Sequence, residues 1–340
     1  MPNLLRAART ASRGKRYRRS AAAFLLRMEQ QCLRLSEALA EGSWRPSPYR
    51  VFRITDPKPR TICAAPFADR VVHQAMVQVV EPAFERGFIY DSYSCRVGKG
   101  THAALRRVAA WVREYPWVLK VDVQKYFPSI DHRVVMALLR RRIRCERTLS
   151  LFEQVLSSWH SDEAPLRWFD GDGVDSPLQR RRGLPIGNLT SQFLSNVVLD
   201  AVDHRVKDGL GVRAYARYCD DMVVFGRVPA ELRRVQAAIA EGLRRLRLSP
   251  HPLKTRVAPC SQGLRWVGFQ VLPSGVRFAD DSLRRLRRRV LALRRARPTT
   301  RASVIAGLLG HARHGMGDQA WRGMVSMAEG ALRVGGSPCA

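Results

Sequence analysis

Val212-Arg213-Ala214-Tyr215-Ala216-Arg217-Tyr218-Cys219-Asp220-Asp221-Met222-Val223-Val224-Phe225 is the stretch whose reading decides the fold. Two largely apolar runs of strand length flank two adjacent carboxylates, Asp220 and Asp221. The pattern predicts the arms of a β-hairpin with both acids at its tip. Like charges held that close repel, so the arrangement calls for a cation.

A third acid extends the pattern. Trp117-Val118-Leu119-Lys120-Val121 is another apolar run of strand length, and Asp122 follows it directly, ahead of Tyr126-Phe127 and the helix-ready Ser129-Ile130-Asp131-His132. Any single Asp reads most simply as a cap or a solvated loop acid. Three carboxylates, each abutting a buried strand, instead offer hard oxygen ligands for Mg²⁺, which binds through one or two carboxylates together with substrate phosphates. Two such ions, roughly 3.5–4 Å apart, activate an attacking hydroxyl and stabilise a leaving pyrophosphate. That chemistry is nucleotidyl transfer.

With these residues in place the chain resembles a reverse transcriptase. Tyr218-Cys219-Asp220-Asp221 matches Y-x-D-D, and Asp122 with Phe127 matches the first palm motif, D-x-x-x-x-[F/Y]. Arg50 through Ile62 and Asp69-Arg70-Val71-Val72-His73-Gln74 resemble the fingers motifs, and Ser92 through Ala103 continues the series. Gly183 through Gln192 resembles the second palm motif and Leu264 through Phe269 the primer-grip region, so the likeness runs in order over about residues 10–315. It implies an α+β right-hand polymerase fold with fingers, palm and a short helical thumb. Ile186-Gly187-Asn188-Leu189-Thr190-Ser191-Gln192 also fits [I/V/L]-G-x-x-x-S-Q, the form found in reverse transcriptases of diversity-generating retroelements. Most other reverse transcriptases carry Gln at the position of Ile186.

The resemblance implies roles residue by residue. Asp122, Asp220 and Asp221, with the backbone carbonyl of Val123, would hold two Mg²⁺ ions; Lys254 resembles the late palm lysine that protonates departing pyrophosphate. Lys58 and Arg60 would meet the triphosphate, Arg60 with the planar fork suited to phosphate oxygens, whereas Lys58 also reads as an ordinary solvated cation. Phe127 takes the steric-gate position beneath the incoming sugar; its rival reading is a core aromatic, since Tyr126 and Phe127 point to opposite sides if the segment is extended. Ile186 replaces a polar check on the nascent pair with shape alone, which implies lower fidelity; otherwise it only packs. Gly187, Ser191 and Gln192 would line the template side, with Gln192 alternatively a plain helix-surface residue. Gly98 through His102 lacks the Walker pattern and reads as a glycine turn into a helix.

Enzymes of the resembled subgroup copy an RNA template, with errors opposite adenine, into complementary DNA that diversifies a target gene, using deoxynucleoside triphosphates and an accessory variability protein. The alternatives are a group II intron or retron reverse transcriptase of ordinary fidelity, or a non-catalytic reverse-transcriptase-derived RNA-binding component. Composition agrees with a nucleic-acid partner: Lys+Arg 59 against Asp+Glu 29 gives a net charge of +30. A 340-residue chain that is 46% hydrophobic can bury a substantial core. Its seven cysteines form no C-x-x-C pair, so a reduced, metal-free set is expected. Without an apolar run of spanning length or a signal-peptide core, a cytoplasmic protein is expected.

The motif positions suggest a basic helical extension at residues 1–45, fingers at 46–116, palm at 117–275 with a loop insertion at 161–182, and thumb at 276–340. That layout leaves no room for an RNase H or endonuclease domain.

Overall fold

A helix buried on most of its sides has to be wrapped by other elements. Leu189–His204 is such a helix, with eleven of its 16 residues buried, and it packs against Phe67–Glu85 and His132–Arg140. The computed structural model describes residues 1–55, 59–292, 304–307, 310, 322, 325 and 326. These residues cluster into two compact units: 1–96, 121–222 and 234–255 in the first, and 97–120, 223–233 and the described part of 256–340 in the second.

In the first unit, Pro2–Ala11 starts with proline at its first turn, where a missing N–H costs nothing, and buries Leu4, Ala7 and Ala8 against Phe67–Glu85. Within the helical extension expected at residues 1–45, two further helices follow, Arg19–Leu26 and Met28–Glu41, broken at Arg27 (φ −125°, ψ 37°). The break lets Phe24 meet the edge of Phe67 at 5.2 Å, a tertiary contact that helix periodicity does not encode. Arg50–Ile54 and Arg60–Ala64 pair antiparallel from Arg50↔Ala64 to Ile54↔Arg60. His132–Arg140 starts on the side chain of Asp131, which accepts from the N–H groups of Arg133 at 2.7 Å and Val134 at 3.3 Å.

Residues 161–182, expected as a polar surface loop, are irregular apart from Ser176–Gln179 and expose Trp168 and Val174. The loop is nonetheless pinned. Arg180 pairs with Asp172 and brings Nε to 3.3 Å from Asp131, while Arg247 reaches Asp131 at 2.7 Å. Carboxylates as enclosed as Asp131 and Asp172 need such cations.

In the second unit, Gly98 (φ 72°) and Gly100 (φ 102°) make the turn into the helix Thr101–Glu114. Residues 117–120 pair antiparallel with Arg256–Pro259, from Trp117↔Pro259 to Lys120↔Arg256. Leu264–Trp266, Phe269–Leu272 and Gly275–Phe278 form a three-stranded antiparallel sheet. Alternation buries Trp266, Phe269 and Phe278 and turns Arg265, Gln270 and Arg277 to the other face. The Arg-rich helix Asp280–Ala292 lies in the region expected as a helical thumb, of which residues 293–303 and most of those after 307 are outside the described residues. Among the described residues no helix is long and apolar enough to cross a membrane.

Candidate active site

The acid-bearing ends of two strands, residues 121–122 of Trp117–Asp122 and residues 221–222 of Asp221–Gly226, lie in the first unit. Tyr215–Tyr218 leads into the paired acids with Tyr215, Ala216 and Arg217 fully buried. Only Cys219 and Asp220 link it to the strand that begins at Asp221, and Cys219 takes a positive φ of 58°. A two-residue link with positive φ at its first position is a primed-type turn, so the acids sit where the alternation of the two arms places them.

Asp122 is positioned from the other side of the sequence. His251 donates its N–H to the Asp122 carbonyl at 2.7 Å, Val123 bridges Pro250 antiparallel, and Gln124 donates to the Ser249 carbonyl at 2.9 Å. The backbone from 122 to 124 is thereby clamped before Lys125 turns it (φ 46°) into the short helix Tyr126–Ser129. The segment after Asp122 is thus helical where an extended form had been one expectation. Tyr126 is buried and donates its hydroxyl to the Ser195 carbonyl at 2.6 Å, whereas Phe127 is half-buried with its ring edge-on to Tyr126 at 5.5 Å. Of the two rings, Phe127 is the one left partly open.

Asp220 lies in the field of the other two acids. Burial, then the negative charges of Asp221 and Asp122, raise the Asp220 carboxyl from 3.8 to about 6. Lys254, in the turn after the clamp, places Nζ 3.0 Å from Asp122 Oδ1, across 132 residues of sequence. Among the described residues, no group of three or more His, Cys, Asp or Glu side chains is gathered closely enough to hold a metal ion. The donor set nevertheless suits Mg²⁺, being hard carboxylate oxygen in a half-buried place where like charges meet.

The segment at residues 183–192 is tied to both flanks of this centre. Gly183 and Leu184 donate to the carbonyls of Ile130 and Phe127 at 2.8 and 2.9 Å, and the Ile186 carbonyl accepts from Cys63 at 2.9 Å. Ile186 itself is half-buried. Gly187 has φ 119°, and a Cβ there would lie 3.1 Å from Ile62 Cγ2. Ser191 is buried, with no partner for its hydroxyl among the described residues, while Gln192 is exposed on the same helix. Arg60 is exposed at the start of its strand. Lys58 lies outside the described residues.

Sequence reasoning passed over Arg217. Its guanidinium is fully buried, held by both oxygens of Asp203 at 2.6 to 2.9 Å. Tyr215 adds its hydroxyl to Asp203 at 2.6 Å. The available signal was a cation inside an apolar strand next to the paired acids, which cannot be buried without an anionic partner.

The family model described as Reverse transcriptase (RNA-dependent DNA polymerase) matches residues 55–271. Protein YkfC of Escherichia coli (strain K12) is 25% identical over 297 residues, covering 75% of this chain and 74% of that protein. Nuclear intron maturase 1, mitochondrial, of Arabidopsis thaliana is 32% identical over 117 residues, 34% of this chain and 16% of that protein. Group II intron-encoded protein LtrA of Lactococcus lactis subsp. cremoris is 21% identical over 178 residues, 52% of this chain and 28% of that protein. The chain therefore spans about three quarters of the first relative and well under a third of the other two.

Proposed function

The chain belongs to the reverse transcriptase (RNA-dependent DNA polymerase) family, and on that premise we propose that it synthesises DNA on an RNA template at a centre built from Asp122, Asp220 and Asp221. The observation that carries this reading is the gathering of acids from two distant segments, with Asp220 under the negative charge of both Asp221 and Asp122 and Asp122 paired with Lys254. Asp122, Asp220, Asp221 and the Val123 carbonyl would hold Mg²⁺. When bound, the two ions supply the charge that activates the primer hydroxyl and stabilises the leaving pyrophosphate.

The remaining roles belong to the chain itself. Lys254, whose Nζ lies 3.0 Å from Asp122, would give its proton to pyrophosphate as that group departs. Arg60, with Lys58, neutralises the triphosphate. Phe127, the open ring of its pair, lies beneath the sugar and excludes a 2′-hydroxyl. Gly187, Ser191 and Gln192 support the template, Ser191 from inside the fold. Residues 46–116 act as fingers, 117–275 as palm and 276–340 as thumb, after a helical extension at 1–45.

The finer reading is an error-prone enzyme of a diversity-generating retroelement, acting with a structured RNA and an accessory variability protein. Ile186 supports it, since an aliphatic side chain beside the nascent pair forms no hydrogen bond with which to reject a mismatch. A group II intron-type enzyme of ordinary fidelity is the second reading, supported by the similarity to Group II intron-encoded protein LtrA. Primer extension on RNA with Mg²⁺ tests the polymerase. Asp220→Ala should abolish synthesis and spare RNA binding, and persistent synthesis would refute the assignment. Sequencing the products decides between the readings: errors concentrated opposite adenine, and reduced by Ile186→Gln, support the first.

A further inference from the structure

We infer that Arg217 is a positioning residue for the acidic turn, fixing the peptide that carries Asp220; the inference rests on the proposed reading of Asp122, Asp220 and Asp221 as the reacting centre. Beyond the forked pairing with Asp203, the same guanidinium turns Nη1 to two further acceptors, Asn196 Oδ1 and the Cys219 carbonyl, both at 3.1 Å. Asp203 and Asn196 project from one helix, Leu189–His204, seven residues apart and therefore on one face. Asn196 in turn donates its amide to the Ser94 carbonyl at 2.9 Å.

The backbone of Arg217 is held as well. Its N–H donates to Asp91 at 3.0 Å, its carbonyl accepts from Tyr93 at 2.9 Å, and Ser92 bridges it in parallel register. Every handle on Arg217 except one thus belongs to the rigid interior. The exception is the Cys219 carbonyl, the first peptide of the turn, in a residue that takes the left-handed φ unfavourable to a side chain with a Cβ.

A planar peptide transmits that grip. Fixing the Cys219 C=O direction fixes the plane shared with the Asp220 N–H, and hence where the Asp220 Cα and its carboxylate start. Asp203 neutralises the charge of the buried arginine but leaves the Nη1 donors spare, and it is these that reach Asn196 and, at the turn, the Cys219 carbonyl. Lysine carries the same charge but offers one nitrogen, which cannot fork onto Asp203 and reach Cys219 together.

The test uses the full chain with Arg217→Lys. It compares cooperative unfolding, hydrogen exchange of residues 218–222, Mg²⁺ binding by calorimetry without substrate, and primer-extension kinetics. Expected are a folded variant with faster exchange confined to that turn, weaker Mg²⁺ binding, and kcat lower by about 10–100-fold, in the range seen when outer-shell partners of metal ligands are lost, with the dNTP KM little changed. Wild-type exchange in the turn and wild-type kcat in the folded lysine variant would overturn the inference. So would faster exchange spread through the whole unit while each folded molecule keeps full activity, because a merely structural arginine behaves that way. Should Arg217→Lys fail to fold, Asn196→Ala carries the same measurements, with smaller changes in the same direction expected and none overturning the inference. A wild type that binds Mg²⁺ and loosens at the turn on substitution, yet never extends a primer, would sink the polymerase reading and leave the positioning role standing.

Discussion

Leucine in place of His73 should flatten the acid limb of the stability curve. His73 lies on the helix Phe67–Glu85, 1% exposed, and neither ring nitrogen has a hydrogen-bond partner among the described residues. Burial, and then the positive charge of Arg70, pull its pKa from 6.5 down to about 4. The folded state therefore keeps the ring neutral while the unfolded chain protonates it. With the folded value depressed, the contribution is present above 6.5 and is lost as pH falls toward 4. Between about pH 7 and about pH 5 this linkage removes about 2 kcal/mol, and the whole shift is worth about 3 kcal/mol. Asp200 works in the opposite sense: burial raises it to about 6, so the fold prefers its protonated form as pH falls. The informative quantity is thus the difference between wild type and His73→Leu in urea denaturation at the two pH values. That difference should grow by about 2 kcal/mol toward acid, on top of about 1–3 kcal/mol gained at neutral pH because leucine leaves no unpaired nitrogen. Parallel pH profiles for the two proteins, or a folded-state His73 that titrates near its ordinary value by NMR, would refute the reasoning.

Asp220→Asn removes one of three mutually repelling carboxylates, so in EDTA it should raise the melting temperature while losing most of the upward shift that Mg²⁺ gives the wild type; calorimetric scans with and without Mg²⁺ read both. Phe127→Ala should admit ribonucleotides into primer extension with little loss of deoxynucleotide use, and continued exclusion would remove Phe127 from the gate. Gly187→Ala must accept a φ of 119° and a contact of 3.1 Å with Ile62 Cγ2, so denaturant midpoints should show it less stable by about 1–3 kcal/mol.

How much of this was legible in the sequence depends on whether the cause was local. Strand-length runs ending in acids can be read from a few neighbouring residues: Trp117–Asp122 and Asp221–Gly226 formed where apolar residues run together, whereas the arm expected from Val212 becomes a strand only at Tyr215–Tyr218. The helix Pro229–Arg245 likewise has a local cause, apolar residues recurring at helical spacing. What sequence pattern could not carry was the identity of distant partners. Lys254 and Asp122, Arg217 and Asp203, and Asp131 with Arg180 and Arg247 are each pairs that matter only once the chain has folded back on itself.

The 161–182 loop illustrates the difference. Its polarity and glycines favour a solvated loop, and its exposed tip agrees, yet Asp172 and Arg180 are enclosed because their opposite charges cancel. Tyr126 and Phe127 give the same lesson at shorter range, since the αL residue Lys125 starts a helix where an extended segment was equally open. Arg217 is the strongest case. In a strand reading it is a misfit, a cation between Ala216 and Tyr218, and local rules offer no role for it. Placed against Asp203, Asn196 and Cys219, the same misfit links the buried helix to the turn bearing Asp220. A charge that breaks an apolar pattern beside paired acids is thus itself a signal, because burying it requires an anion and its spare donors must then bind something nearby.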